Sequence, residues 1–552
     1  MTEETASQGI PEPEGEAAVI ETDYDVGQDN VEGSVGPFGF DIHNPVFMIS
    51  GLTVAGFVFY TLAFHSQSEV IFSWLFDVVT KGFDWFFIGV ANIFVLFCLF
   101  LIVSPWGKVR LGGSDATPDY TYMGWFSMLF AAGMGIGLMF FGVSEPMTHF
   151  SSAFGGVEMG EDGLRSDWSP LGGAAGNQYE AMRLGMAATI FHWGLHPWAI
   201  YAVVALALAL FSYNKGLPLT IRSAFYPLLG ERVWGWWGHV IDTLAVFATL
   251  FGLATSLGFG ATQASAGLNE LFGFPVGAAT EVVLITGITA IALVSVLRGL
   301  DGGVKVLSEI NMALAFLLLF FVLLVGPTLA LLKGFVESMG AYFQYLPALS
   351  NPVGRADTNF MQGWTSFYWA WWISWSPFVG MFIARVSRGR TVREFLICVL
   401  LIPSLVCVLW MSIFGGTAIS QVINDGYTVA QDAALELQLF KMLDIMPLAS
   451  MTSLVGIVLV MVFFITSSDS GSLVIDTITA GGKVDAPVSQ RVFWCVLEGA
   501  VAIVLLLGGG LGALQAMVLS TGLPFALVLL LMCWAILRGL MNERRQLKAT
   551  EI

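Results

Sequence analysis

Apolar stretches of about twenty residues, separated by short polar loops, recur from residue 45 to residue 537. A helix needs roughly that length to cross about 30 Å of hydrocarbon, and in lipid a helix satisfies its own backbone hydrogen bonds. The pattern predicts twelve transmembrane helices, at residues 45–65, 84–104, 122–146, 184–212, 235–264, 279–297, 309–332, 361–385, 394–419, 450–478, 492–512 and 514–537. The fold class is all-α integral membrane.

Four of these spans carry more than apolar side chains. The third holds "AAGMGIGLMFFG", with Gly133, Gly135 and Gly137 at alternate positions. Glycine weakens a helix, and unwound backbone at membrane depth is tolerated where protein or a polar cavity surrounds it. Many secondary transporters use such discontinuous helices to offer carbonyls to a cation and amides to an anion; close packing through small residues is the competing explanation. The tenth span holds "FFITSSDSGS", where Thr466, Ser467, Ser468, Asp469 and Ser470 stand in an otherwise apolar run. Hydroxyl and carbonyl oxygens suit a small hard cation, and a carboxylate inside a span implies a function because burying it is expensive. For Ser468 and Ser470 the simpler expectation is a hydrogen bond to their own helix, and Asp469 is read as orienting its neighbours.

The fourth and eighth spans, "HWGLHPWAIY" and "FYWAWWISWSPF", are aromatic. At about 100° per residue, Trp193, Trp198 and Tyr201 share one arc of the fourth, and Trp371, Trp372 and Trp375 one side of the eighth. Trp369 lies off that side, packing or facing lipid. Two such arcs could form a cage for a quaternary ammonium, which has no N–H to donate and is held by ring faces. For any single ring, core packing or anchoring at the membrane surface is the alternative.

Composition agrees with the membrane class, at 56% hydrophobic and 12% charged residues. Lys and Arg gather in alternate loops: Lys108 and Arg110; Lys215, Arg222 and Arg232; Arg298 and Lys305; Arg385, Arg388, Arg390 and Arg393; Lys483 and Arg491; and Arg538, Arg544, Arg545 and Lys548. Basic loops stay cytoplasmic, so both termini are predicted to be cytoplasmic. The net charge of -18 comes from residues 1–43, which lack Lys and Arg, and from outward loops with Glu158, Glu161, Asp162, Asp425 and Asp432. That acidic tail is expected to be disordered and does not have the form of a cleavable signal.

The five cysteines have no CxxC spacing, so neither a disulfide framework nor a metal site is indicated. His192 and His196 are four apart but belong to no HExxH motif and are read as structural, as are Glu145 and Asp242 near span ends. No nucleophile elbow, Walker loop or kinase signature appears. Nothing points to an enzyme, a cofactor or a nucleic-acid partner.

Together, "GMGIGLMFFGVSEP", "HWGLHPWAIY", "FYWAWWISWSPFVGMFIARVSRGR" and "FFITSSDSGS" resemble the betaine/choline/carnitine transporter family, in motif order over residues 45–537. The resemblance implies a LeuT-like fold of two inverted five-helix repeats, usually in a homotrimer. It divides the chain into a cytoplasmic tail (1–43), two peripheral helices (44–120), a first repeat (121–333), a linker with an amphipathic segment (334–360), a second repeat (361–538) and a short cytoplasmic end (539–552). It further implies that Trp193, Trp198, Tyr201, Trp371, Trp372 and Trp375 line the path of a trimethylammonium group, with the backbone of Gly133, Met134 and Gly135 facing a substrate carboxylate. A sodium ion maps onto the carbonyls of Ala131, Met134 and Phe463 and the hydroxyls of Thr466 and Ser467. A second sodium site of some betaine carriers maps onto Thr249 and Phe378, with Leu253 in place of its other threonine.

Proton-linked choline carriers of the family tend to have Asp where this chain has Gly137, so the resemblance favours a zwitterion and sodium. Osmosensing members carry a long basic C-terminal helix, whereas this sequence ends at "RGLMNERRQLKATEI", so activity regulated by such a helix is not expected. The expected function is import of glycine betaine or a similar compatible solute by sodium symport at the plasma membrane. Choline, carnitine, ectoine and dimethylsulfoniopropionate are the alternatives within the family. A channel or a membrane sensor is the alternative outside it.

Overall fold

A computed structural model of the chain describes residues 11–160, 167, 171–298, 305–355 and 357–550, with backbone alone for Lys305 and residues 547–550. Glu3, Glu4, Glu161 and Asp162 of the acidic tail and loop, and the side chains of Lys305 and Lys548, lie outside the described residues. A small antiparallel hairpin, β1 (Asn30–Val35) and β2 (Phe38–His43), precedes the helices. These are α1 (Asn44–Ala63), α2 (His65–Val103), α3 (Tyr122–Gly133), α4 (Ile136–Gly155), α5 (Gln178–Trp193), α6 (Leu195–Ala209) and α7 (Tyr226–Leu229). Then come α8 (Trp236–Phe272), α9 (Ala278–Arg298), α10 (Lys305–Val325), α11 (Thr328–Leu349), α12 (Ser366–Arg385) and α13 (Val392–Asp425). The last are α14 (Val429–Asp432), α15 (Gln438–Asp444), α16 (Ala449–Thr479) and α17 (Val488–Thr550).

Among the described residues, nine helices are long and apolar enough to cross a membrane, or ten when the bent pair α3–α4 is taken as one span. The predicted count of twelve differs for two reasons. The spans at 492–512 and 514–537 run together as α17, which bends at Gly509 (φ 158°) and Gly510 (φ 62°), angles that glycine alone reaches at little cost. The span at 361–385 is α12, whose tryptophans, tyrosine and serines keep it short of that apolar threshold; an eight-residue π-helical run, 358–365, leads into it.

Other boundaries shift as well. Helix α2 begins at His65, well before the predicted 84, and at about 1.5 Å per residue its 39 residues exceed a bilayer crossing. The seventh span ends at Val325, because Gly326 and Pro327 stop it, and α11 follows as a separate helix over the predicted amphipathic linker. The fourth span breaks at Gly194 (φ -95°, ψ -128°) between α5 and α6. Helix starts follow capping chemistry: Thr121, Asn177 and Thr391 each accept a hydrogen bond from the backbone N–H three residues on.

Residues 11–43 depart from the expectation of a disordered tail. Lys215 Nζ donates to the Ala18 carbonyl (3.0 Å) and pairs with Glu543 (2.5 Å). Arg222 donates to the Tyr24 hydroxyl (2.8 Å), and the Tyr24 ring stacks on Trp234 at 4.3 Å. Buried basic groups in the loops thus supply the partners that an acidic, Lys- and Arg-free segment lacks within itself.

Candidate functional site

The site begins where the third span breaks. Helix α3 ends at Gly133, Met134 (φ -91°, ψ 131°) and Gly135 (φ -172°, ψ -176°) are extended, and α4 leaves at 65° to α3. Packed around this step is a cavity of about 40 Å³ lined by Gly133, Met134, Gly135 and Gly137 and by Trp193, Trp198, Tyr201, Trp371, Trp372 and Trp375. All nine residues expected at a substrate site therefore converge. Trp371 and Trp372 lie 5.4 Å apart at 20°, while Trp193 and Tyr201 meet Trp372 edge-on, at 5.0 and 5.7 Å.

Each indole of the eighth span that lines the cavity is fixed by its N–H. Trp371 donates to Ser256 Oγ (3.1 Å), Trp372 to the His192 carbonyl (2.9 Å) and Trp375 to the Gly252 carbonyl (2.9 Å). The Tyr201 hydroxyl is buried without a hydrogen-bond partner among the described residues. Gly137 is where the rings close in: a Cβ there would lie 2.8 Å from Trp193 Cη2 and 3.1 Å from Trp371 Cη2. Among the described residues, no acidic or basic side chain lines this cavity.

Behind Trp193 stands Glu145, wholly buried in α4. Trp193 Nε1 (2.7 Å) and the Tyr368 hydroxyl (2.5 Å) donate to its Oε2; His192 Nδ1 (2.6 Å) and His149 Nε2 (3.2 Å) reach its Oε1. Glu145, His149 and His192 are near enough together to hold a metal ion. Both imidazoles, however, hydrogen-bond directly to one carboxylate oxygen, so the donor set is already occupied by its own members.

The unwound segment also borders a second, larger cavity of about 690 Å³. Its lining includes Ala131, Met134, Phe463, Thr466 and Ser467, the five residues to which an ion was assigned, together with Ser470 and Phe378. Ala132, Met134, Trp375 and Val379 line both cavities. Thr466 Oγ1 donates to the carbonyls of Val462 (3.0 Å) and Phe463 (3.2 Å), which leaves its oxygen lone pairs for a cation. Ser308, Glu309 and Asn311, from the start of α10, complete the polar part of the lining.

The profile described as "BCCT, betaine/carnitine/choline family transporter" matches residues 45–545. The chain belongs to this family. A glycine betaine/proline/choline transporter of Vibrio parahaemolyticus is 66% identical over 537 residues, 97% of either chain. A glycine betaine transporter of the same organism is 55% identical, covering 96% of this chain and 98% of that one. One of Bacillus subtilis is 45% identical, covering 86% and 90%. Among solved structures, a manganese transporter of Eremococcus coleocola covers 78% of this chain and 88% of that one at 14% identity, with a TM-score of 0.41.

This member of the betaine/carnitine/choline family is thus a multi-pass membrane transporter and not an enzyme. Single residues bear out or correct the sequence reading. Trp369 is packing, 0% exposed and stacked on His196 at 5.3 Å. Ser468 bonds across to Glu498 Oε2 (3.1 Å) rather than to its own helix, because α17 brings a buried carboxylate alongside. Asp242 is structural, held by Arg222. Thr249 donates to the Ala245 carbonyl (2.7 Å) and lines neither cavity, whereas Phe378 faces the larger one. Glu145 and Ser256 were missed as site residues. An acid inside an apolar run was the available signal for Glu145; a lone serine in "LATSLGFG" gave none for Ser256.

Proposed function

We propose that this transporter imports glycine betaine or a similar zwitterion with a quaternary head, driven by sodium. The observation that carries the reading is the uncharged aromatic cavity built against unwound backbone. Ring faces suit the trimethylammonium head, and the extended segment at Met134 and Gly135 offers backbone to the carboxylate. A cavity without a carboxylate of its own favours a substrate that brings one, which sets glycine betaine ahead of choline; the names of the relatives support both, and proline besides. Sodium would bind the carbonyls of Ala131, Met134 and Phe463 and the hydroxyls of Thr466 and Ser467, oxygen ligands that suit a hard cation. Filling that site would steady the segment that Met134 shares with the substrate cavity. Each charge moved through 100 mV supplies about 2.3 kcal/mol.

The architecture fits the family reading when α12 and both arms of α17 are counted as crossings, giving twelve, arranged as two inverted repeats over 121–333 and 361–538 in a LeuT-like fold. With basic loops inside, the termini are cytoplasmic and the larger cavity, which the start of α10 helps to line, opens inward. A homotrimer in the plasma membrane completes the proposal. The test is uptake by proteoliposomes of labelled betaine, choline, proline and ectoine under a sodium or a proton gradient imposed singly. Betaine accumulation with sodium alone is expected; uptake driven by protons alone would sink the coupling assignment.

A further inference from the structure

The carboxylate of Glu145 has about four lone-pair directions, and four donors fill them: His149, His192, Trp193 and Tyr368. An indole N–H can only donate. His192 turns Nδ1 to Glu145 while its Nε2 meets Thr365 Oγ1 at 2.9 Å, an arrangement that fits a neutral ring donating on one side and accepting on the other. His149 has no partner at Nδ1 among the described residues, so it too is satisfied as a neutral donor. Arg355 lies over the Phe360 ring that flanks both histidines, and it is bound through two nitrogens to Asp357, at 2.9 and 2.7 Å, a self-neutralising pair. Four such contacts fit Glu145 as an anion, and Trp193 lies between it and the aromatic cavity, N–H toward the carboxylate and the far end of the ring at Gly137.

We propose that Glu145 sets the strength of the cage toward positive charge, acting through Trp193. A hydrogen bond from the indole N–H to an anion is charge-assisted and pushes electron density into the ring, making its face a better seat for a cation. The buried negative charge also reaches the cavity through low-dielectric surroundings, where it is little screened. Glu145 is a positioning and tuning residue: it touches the ring, not the substrate. The consequence is discrimination between a cationic head and a neutral head of the same shape. This rests on the betaine reading above.

The experiment compares inhibition of labelled uptake in proteoliposomes by glycine betaine and by 3,3-dimethylbutanoate, in which a carbon replaces the quaternary nitrogen. The wild-type protein is expected to favour betaine, and Glu145→Gln to lower that preference about tenfold. If Glu145→Gln weakens both compounds by one factor, Glu145 is only structural and the proposal is overturned while the betaine reading stands. If the wild-type protein shows no preference, the cation cage itself fails and the proposal with it. Trp193→Phe keeps a ring but removes the N–H; an unchanged preference there overturns the proposal even where Glu145→Gln yields no folded protein.

Discussion

In the smaller cavity four indoles are tied by their N–H groups to Glu145, Ser256, His192 and Gly252. In the larger one, about 690 Å³ against about 40 Å³, the polar groups include hydroxyls on α16, and that of Thr466 bonds, among the described residues, to its own helix. The first is a shaped, pre-ordered wall suited to a substrate recognised by ring faces. The second is an open basin with oxygen ligands on its flank. On the proposed function, the contrast sets rigidity where selectivity needs shape, and openness where an ion needs access. Met134 belongs to both, so two residues of extended backbone join the two sides.

The strongest way to break the contrast is to put bulk into the tight side. Gly137→Asp places a Cβ 2.8 Å from one indole and 3.1 Å from another. Overpacking costs up to about 3 kcal/mol, so the KM for betaine should rise roughly a hundredfold while protein level in the membrane holds. Normal betaine uptake by this variant would mean that the rings are mobile and the cavity is not pre-ordered. Trp372→Ala is the next step down. It removes the ring that Trp193, Tyr201 and Trp371 all face, worth about 2 kcal/mol when desolvated. Betaine KM should rise about thirtyfold, with sodium half-saturation moved far less.

How much of this could be read in the sequence depends on what the residues needed to reveal themselves. The cage was legible because helical periodicity alone sets Trp371, Trp372 and Trp375 on one side. The break at Met134 was legible because the glycines that flank it, Gly133 and Gly135, make poor helix. The proposed ion ligands came with the family resemblance rather than from spacing. Glu145 was discounted because the predicted span ended at 146, whereas α4 runs on to Gly155 and buries it. The break at Gly194 and the docking of residues 11–43 on Lys215 and Arg222 depend on tertiary partners that no local pattern displays. A Cβ at Gly194 would meet the Ile190 carbonyl of its own helix at 2.8 Å and Tyr342 Cζ at 3.5 Å, the second a contact visible only once α11 is in place.

On the open side the effects should be smaller and should fall on the ion. Thr466→Ala removes one oxygen ligand, worth roughly 1.5 kcal/mol for a bond to a charged group. Sodium half-saturation should rise about tenfold, with betaine KM at saturating sodium nearly unchanged; an unaltered sodium dependence would remove Thr466 from the ion site. Thr249→Val, of nearly equal shape, is the smallest perturbation. Its hydroxyl serves the Ala245 carbonyl and faces neither cavity, and Leu253 packs against Gly471 where a partner threonine would stand. Losing that bond leaves the ring cage and the α16 hydroxyls in place, so sodium half-saturation, the steepness of the sodium curve and betaine KM should all stay within about twofold. A curve that instead flattens to single-ion steepness would place a second sodium at Thr249 and extend the ion region from the wall of the large cavity to the interior of α8.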